Sequence, residues 1–386
     1  MSEIKSESRF TVMEATSVIV GHGVGSGILA VPFLASRNNW YDFIWIVALA
    51  YFINLLMHLM IAELSYHNGG AQFIKCFETE LFTGKLKKVA TYFAFAMLGF
   101  SVLVNVSGFI SGAAAVFTSW FGMPKIAGMI LYYVLAGAVV FVGMKLVGIC
   151  EKYSVVAMVG VIGILFVATL LSEKSGLPTG NKHFTNMIAL YSMVAFSLSA
   201  VMSVPQVVKG LNGNMKQIRT AIIGGTGINT GLIILITLMT LIGAGKSISQ
   251  NGALVDLSAH LGGWVSVIGY VFSLLALSTS FWANTLNLRD IISEQFHWNI
   301  KLCWLLATLP CLLLAIFGAQ SFVGFIRLAG VVQILTGVGI IIAYNRSRHK
   351  AGGESPLCGK LGTLPFQILV IAFSVMATLG SLISVK

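Results

Sequence analysis

From Thr11 onward, apolar runs of about 20 residues follow one another, parted by short polar gaps, and a run of that length spans a bilayer as an α-helix. In hydrocarbon every backbone N–H and C=O must find an internal partner, so such runs fold as helices. The balance of the 386-residue chain agrees: 57% of it is hydrophobic and only 10% charged. Soluble domains carry about 25% charged residues, so the polar surface needed to cover a water-soluble globule is missing. The chain is read as an all-α integral membrane protein.

Eleven spans are expected, at roughly 12–36, 41–66, 89–120, 126–146, 151–172, 185–209, 217–245, 262–292, 301–318, 321–344 and 364–385. The loops are short, which implies one membrane domain over 1–386 without a soluble module. The stretch 67–88 is partly amphipathic and is expected to lie along the membrane surface. A longer loop, 247–263, is expected to fold over one mouth. The net charge of +11 is scattered as loop punctuation, with no basic stripe interleaved with aromatics, which excludes nucleic acid as a partner. With the N-terminus in the cytoplasm, about 17 of the 24 basic residues face inward and about 6 outward, so the chain reads N-in, C-out, as in a bacterial inner membrane. Arg327 falls inside the tenth span, where it snorkels or contacts a gate. The five cysteines follow no pairing or metal pattern and read as apolar filler, reduced where they sit.

The first span contains Gly21-His22-Gly23-Val24-Gly25-Ser26-Gly27. Each interior glycine lowers helix propensity by about 1 kcal/mol relative to alanine. Irregular backbone at membrane depth is tolerated only where it is buried in protein or lines a cavity. An interruption here exposes carbonyls from Gly21 to Val24, which suit a cation, and N–H groups from Gly25 to Gly27, which suit a carboxylate. A zwitterion such as an amino acid matches that pair of poles. Close packing by small residues is the competing reading. His22 stays open between a proton carrier and a packing residue. The sixth span carries Phe196-Ser197-Leu198-Ser199-Ala200 and then Pro205, a second interruption five spans later. Interrupted segments at corresponding places in two halves point to inverted repeats, here 12–172 and 185–344 with 364–385 added. The eighth span places Ser278, Thr279 and Ser280 in succession, hard oxygens fit for Na⁺. No carboxylate is read at the midplane. Glu14 and Glu63 fall toward the cytoplasmic ends of their helices, and Glu151 is expected to form a surface ion pair with Lys152. Asn105 of the third span either faces the site or bonds a neighbouring helix. His58 and Glu63 do not share a helix face, so no relay joins them. Nucleophile, phosphate-loop and metal-binding motifs are missing, which argues against an enzyme, a cofactor or a transition-metal site.

Gly23-Val24-Gly25-Ser26-Gly27-Ile28-Leu29 with Pro32, then Ala62-Glu63-Leu64-Ser65 with Gly69-Gly70, resemble the amino acid–polyamine–organocation superfamily. The stretches 203–228 and 277–292 resemble its amino acid/auxin permease branch, especially the bacterial aromatic amino acid permeases. The similarity runs over nearly the whole chain. It implies the leucine-transporter fold, five plus five inverted repeats and one extra helix, and a cation-coupled importer of a neutral or aromatic amino acid. It further implies a substrate carboxylate at Gly25, Ser26 and Gly27, and an ammonium near the carbonyls of Gly23, Phe196 and Ser199, with Ser197 beside them. A sodium ion, where sodium is the coupling ion rather than a proton, would sit at Gly21, Val24, Ala276, Thr279 and Ser280. Those permeases often carry a histidine where this chain has Ser197-Leu198-Ser199, and the mid-helix lysine of some proton-coupled relatives is missing from the fifth span. An amino-acid sensor on the same fold is the alternative, and a membrane-embedded enzyme the remotest one.

Overall fold

The computed structural model describes residues 10–24, 27–172, 176–177, 183–244, 248, 256–258, 261–318, 333–353 and 355–383. Their order is α1 Val12–Val24, α2 Gly27–Ser36, α3 Trp40–His67, α4 Phe73–Glu80, α5 Lys87–Phe121, α6 Lys125–Val142, α7 Met144–Leu171, α8 Phe184–Leu198, a 3-10 turn Val201–Ser203 and α9 Val204–Gly210. Then come α10 Met215–Ala244, α11 Trp264–Phe296, α12 Ile300–Phe317, α13 Gln333–Lys350, a 3-10 turn Gly359–Gly362 and α14 Leu364–Ser381. Among the described residues there is no strand.

Nine segments among the described residues are long and apolar enough to cross a membrane: α3, α5, α6, α7, the α8–α9 segment, α10, α11, α12 and α14. The expected first span is found as two short helices on either side of residues 25–26, and the expected tenth is described only from Gln333 onward. Arg327 and most of 247–263 lie outside the described residues. The stretch 67–88 contains the short amphipathic helix α4, whose Phe73, Ile74, Cys76 and Phe77 are buried while Lys75 is exposed. Gly69 and Gly70 turn the chain into it with φ of +69° and +81°, values that glycine adopts at no steric cost.

The helices bury unequal shares of themselves. The α8–α9 segment buries 61% of its apolar window, against 33% for α6, α7, α12 and α14. The interrupted segment is therefore central, and the four others present apolar surface outward, as Leu171 and Phe317 do at 84% and 80% exposure. An apolar exterior around a partly polar centre is the arrangement that lipid demands.

One boundary differs from expectation in a way that matters. The division between the fourth and fifth spans is Gly143, not the stretch 147–150. Gly143 adopts φ 125° and ψ −175°, which ends α6 and starts α7. Helix α7 thus begins at Met144, and its buried residues Gly148, Glu151, Val155, Met158, Ile162 and Leu165 form an inward stripe at helical spacing. The Glu151-Lys152 pair lies two turns inside the helix rather than at its surface end.

Candidate functional site

Helix α1 opens with a reciprocal cap. Thr11 N–H donates to Glu14 Oε2 at 2.8 Å, and Glu14 N–H donates to Thr11 Oγ1 at 3.2 Å, which occupies donors a helix start leaves free. Lys145 of α7 closes on the same carboxylate at 2.7 Å. Phe10 donates its N–H to Gly210 O at 2.9 Å, and its ring fills the spaces left by the missing side chains of Gly148 and Gly210. This end of the bundle is packed shut.

At the other end of α1 the two interruptions meet. A methyl group at Gly23 would collide with Asn229 Nδ2 and come within 2.9 Å of Ser197 O. At Gly27, the first residue of α2, it would land on Ser197 Oγ and approach the Phe196 ring at 3.1 Å. The glycines that flank the first break therefore press directly onto the last turn of α8. Gly25 and Ser26 lie outside the described residues. Helix α8 stops at Leu198, and Ser199 turns to an extended φ/ψ of −75°/110°. Phe196 and Ser199 keep part of their surface open while Ser197, Leu198 and Ala200 are buried, and His22 of α1 is likewise only half-buried.

Ends of helices leave backbone groups without intrahelical partners, and side chains from three other helices take them up here. Ala200 N–H donates to His58 Nε2 of α3 at 3.0 Å. That bond fixes the proton of His58 on Nδ1, which lies 3.2 Å from Thr226 Oγ1. Asn229 of α10 donates to Ser197 O at 2.9 Å. Ser203, at the start of α9, meets His22 Nδ1 at 2.7 Å, so His22 joins the first interrupted span to the second. Ser280 of α11 donates to Gly21 O at 3.2 Å and His22 O at 3.3 Å. The sequence alone does not single out His58, Asn229 and Ser203 for this part. Each is a polar residue within an apolar run, which is the signal they carry.

The expected ion ligands are partly gathered. Gly21, Thr279 and Ser280 are in contact, a methyl at Gly21 meeting Thr279 Cβ at 2.9 Å. Thr279 Oγ1 donates to Ala276 O at 3.0 Å within its own helix. Val24 is buried as the last residue of α1. Asn105 lies half-buried on α5, its Oδ1 shielded and without a hydrogen-bond partner among the described residues.

Glu151 overturns its expectation. Its side chain is 0% exposed, and the expected partner Lys152 instead sits 4.6 Å above the Tyr153 ring. Neither carboxylate oxygen has a hydrogen-bond partner among the described residues. The carboxylate rests on Gly21, where a methyl group would collide with it. A carboxylate does stand buried within a segment long and apolar enough to cross a membrane, against Gly21 of the first interrupted span. Glu63 has a different place, at the foot of α3: its Oε2 accepts from Ser355 Oγ and from the N–H groups of Leu357 and Cys358 at 3.0–3.1 Å, which anchors the chain between α13 and α14. All five cysteines are free thiols.

The model of the tryptophan/tyrosine permease family matches residues 8–381. A tyrosine permease of Enterobacter agglomerans is 24% identical over 318 residues, covering 75% of this chain and 74% of that protein. Among solved structures, the fold is similar to that of MHP1, a nucleobase-cation-symport-1 family transporter in a closed conformation with bromovinylhydantoin bound. The TM-score is 0.63 at 14% identity, over 97% of this chain and 92% of that one.

Proposed function

The chain belongs to the tryptophan/tyrosine permease family, and on that footing we propose that it carries tyrosine or tryptophan into the cell by alternating access, in symport with a cation. It is a multi-pass membrane transporter and not an enzyme. The observation that carries the finer reading is the contact of two interrupted spans, Gly23 and Gly27 against Phe196 and Ser197. Opposed helix ends offer N–H groups on one side and carbonyls on the other, the two poles of an amino acid. In this reading the N–H groups of Gly25, Ser26 and Gly27 take the carboxylate, and the carbonyls near Gly23, Phe196 and Ser199 take the ammonium. The half-buried Phe196 ring offers an apolar face to an aromatic side chain, and Asn105 reads a polar group at its far end.

The architecture proposed with this function is eleven spans in five plus five inverted repeats and one added helix, with the N-terminus in the cytoplasm of a bacterial inner membrane. The coupling ion is Na⁺ or H⁺, and Gly21, Val24, Ala276, Thr279 and Ser280 are the ligands proposed for Na⁺. Uptake of labelled L-tyrosine and L-tryptophan into proteoliposomes tests the reading. Accumulation under an inward Na⁺ or proton gradient is expected, with inhibition by the other aromatic amino acids. No uptake under either gradient overturns it.

A further inference from the structure

Helix α10 has 30 residues and so runs about 45 Å, more than the roughly 30 Å of bilayer hydrocarbon. The charges of Lys216 and Arg219 hold its first turns at the depth of the lipid headgroups. Those turns line a pocket of about 560 Å³ with Lys216, Arg219, Thr220, Ile223 and Gly224, and Pro356 forms its far wall. That wall is fixed in place, because the residues flanking Pro356 are bonded to the buried Glu63: Ser355 Oγ and the N–H groups of Leu357 and Cys358 donate to its Oε2 at 3.0–3.1 Å.

Several basic side chains elsewhere have acceptors: Lys75 has Glu78, Lys350 has Glu80, and Arg346 and Arg348 reach backbone carbonyls. Lys216 and Arg219 are exposed, three residues apart on one helix face, and neither has an acceptor among the described residues. The carboxylates of the adjoining elements are spent, Glu63 on the loop that carries Pro356 and Glu14 of α1 on Lys145 and Thr11. The Thr220 hydroxyl donates to Lys216 O at 2.9 Å, so the lining offers positive charge rather than a neutral donor network. Further along the helix the same face turns apolar. Ile223, Gly227, Gly231 and Ile234 follow at helical spacing and none is buried. A Cβ at Gly227 or Gly231 would meet nothing within 4 Å, which leaves a shallow open groove below the two charges.

We propose that this pocket binds an anionic phospholipid, with Lys216 and Arg219 on the headgroup phosphate and one acyl chain along Ile223 and the open backbone at Gly227 and Gly231. A guanidinium offers paired N–H donors to phosphate oxygens, and an ammonium adds a compact charge. Basic pockets at the ends of membrane helices suit such headgroups. A charge-neutral lipid, whose phosphate already carries its own cation, gains less from the same two residues. A soluble phosphate would use the cations and leave the groove empty, so charge and groove together select a lipid. The lipid also adjoins α1: Thr16 Cγ2 stands 3.8 Å from a Cβ placed at Gly224, and Ile19 fills the space beside Gly225. It therefore packs at the seam between α10 and the helix that carries the first break.

The test titrates the full chain, purified in neutral detergent, with dioleoyl phosphatidylglycerol or dioleoyl phosphatidylcholine, and counts bound lipids by native mass spectrometry. The wild type should take up a first phosphatidylglycerol in preference to phosphatidylcholine. Lys216→Gln and Arg219→Gln should each weaken that first binding about fivefold, and the double variant should bring it to the phosphatidylcholine level. A control variant, Lys85→Gln with Lys88→Gln, removes two exposed charges outside the pocket and should bind as the wild type does. Equal binding of the two lipids by the wild type overturns the proposal, as does an equal loss in the control variant, which would reduce the effect to general surface attraction. Inorganic phosphate at the same concentration should not displace the lipid; displacement would make the occupant a soluble anion and overturn the lipid assignment. No transported substrate enters the measurement, so its outcome is independent of the transport reading.

Discussion

The two interrupted spans touch at the centre of the bundle, yet their loose ends are finished in opposite ways. At the second, the Ala200 N–H, the Ser197 carbonyl and the Ser203 hydroxyl each meet a neutral side chain, at 3.0, 2.9 and 2.7 Å. Those partners come from α3, α10 and α1, so the break is tied in three directions. At the first, the carbonyls of Gly21 and His22 share a single hydroxyl at 3.2 and 3.3 Å, longer than a well-formed O–H···O bond. Beside them stands a carboxylate with no partner among the described residues. A break tied by side chains from three other helices is a frame. A break left short of donors and next to an unpartnered carboxyl group is where occupancy by something else changes the energy most.

The contact between the two breaks is the first thing to disrupt, and it should give the largest effect. Gly23→Ala places a methyl against the Ser197 carbonyl, a backbone atom that cannot swing aside. Overpacking of this kind costs about 1–3 kcal/mol, enough to weaken substrate affinity about tenfold or more. The measurement is labelled-substrate binding alongside the melting temperature of the purified protein. Wild-type affinity would show that the breaks do not form one site.

Next comes the tie on the second break. His58→Ala leaves the buried Ala200 N–H without its acceptor, and an orphaned buried donor costs roughly 1–3 kcal/mol. The expected outcome is a lower melting temperature with a raised apparent KM. Partial rescue is expected for His58→Gln, whose amide oxygen can accept from Ala200 while its NH₂ faces Thr226. Equal losses in both variants would mean that His58 matters only as volume.

Much of this contrast is legible in the sequence. Residue spacing and glycine content locate both interruptions, because glycine-rich and hydroxyl-rich stretches weaken a helix and are conspicuous inside apolar runs. Thr279 and Ser280 come with them, since three hydroxyl residues in succession stand out against lipid-facing sequence. Glu151 is misplaced by sequence reasoning for a specific reason. The polar Glu151-Lys152 pair looks like a helix end, and Met144 to Leu146 reads as the last part of the apolar fourth span, which leaves 147–150 as the gap. The true stop is Gly143, whose positive φ a sequence does not display. Only the inward stripe through Gly148, Glu151, Val155 and Met158 could signal it. The parts that His58 and Asn229 play are not legible because each acts on a backbone atom of another helix, 142 and 32 residues away, and no periodicity encodes such a pairing.

On the first break, Ser280→Ala sharpens the contrast by a smaller amount. One shared, long hydrogen bond to two carbonyls is lost, for about 0.5–1.5 kcal/mol. If the hydroxyl also faces the cation, the half-saturating concentration of the driving cation should rise more than the KM for substrate. An equal rise in both would assign Ser280 to helix packing alone.

The smallest thermodynamic effect is expected at the closed end, from Lys145→Met. Lys145 is 39% exposed, so solvent screens its pairing with Glu14, and such pairs contribute about 0–1 kcal/mol. Glu14 also retains its bonds with Thr11, which do not depend on the lysine. The melting temperature should therefore hardly move. The kinetics of opening should differ, because the ion pair is a tether between α1 and α7 at the end where Phe10 is packed. Hydrogen exchange read by mass spectrometry on peptides from Val12–Val24 should speed up in the variant, while peptides from α10 keep their wild-type rates. Faster exchange in both would point to general loosening, and no change in either would place the closure in the Phe10 ring between Gly148 and Gly210.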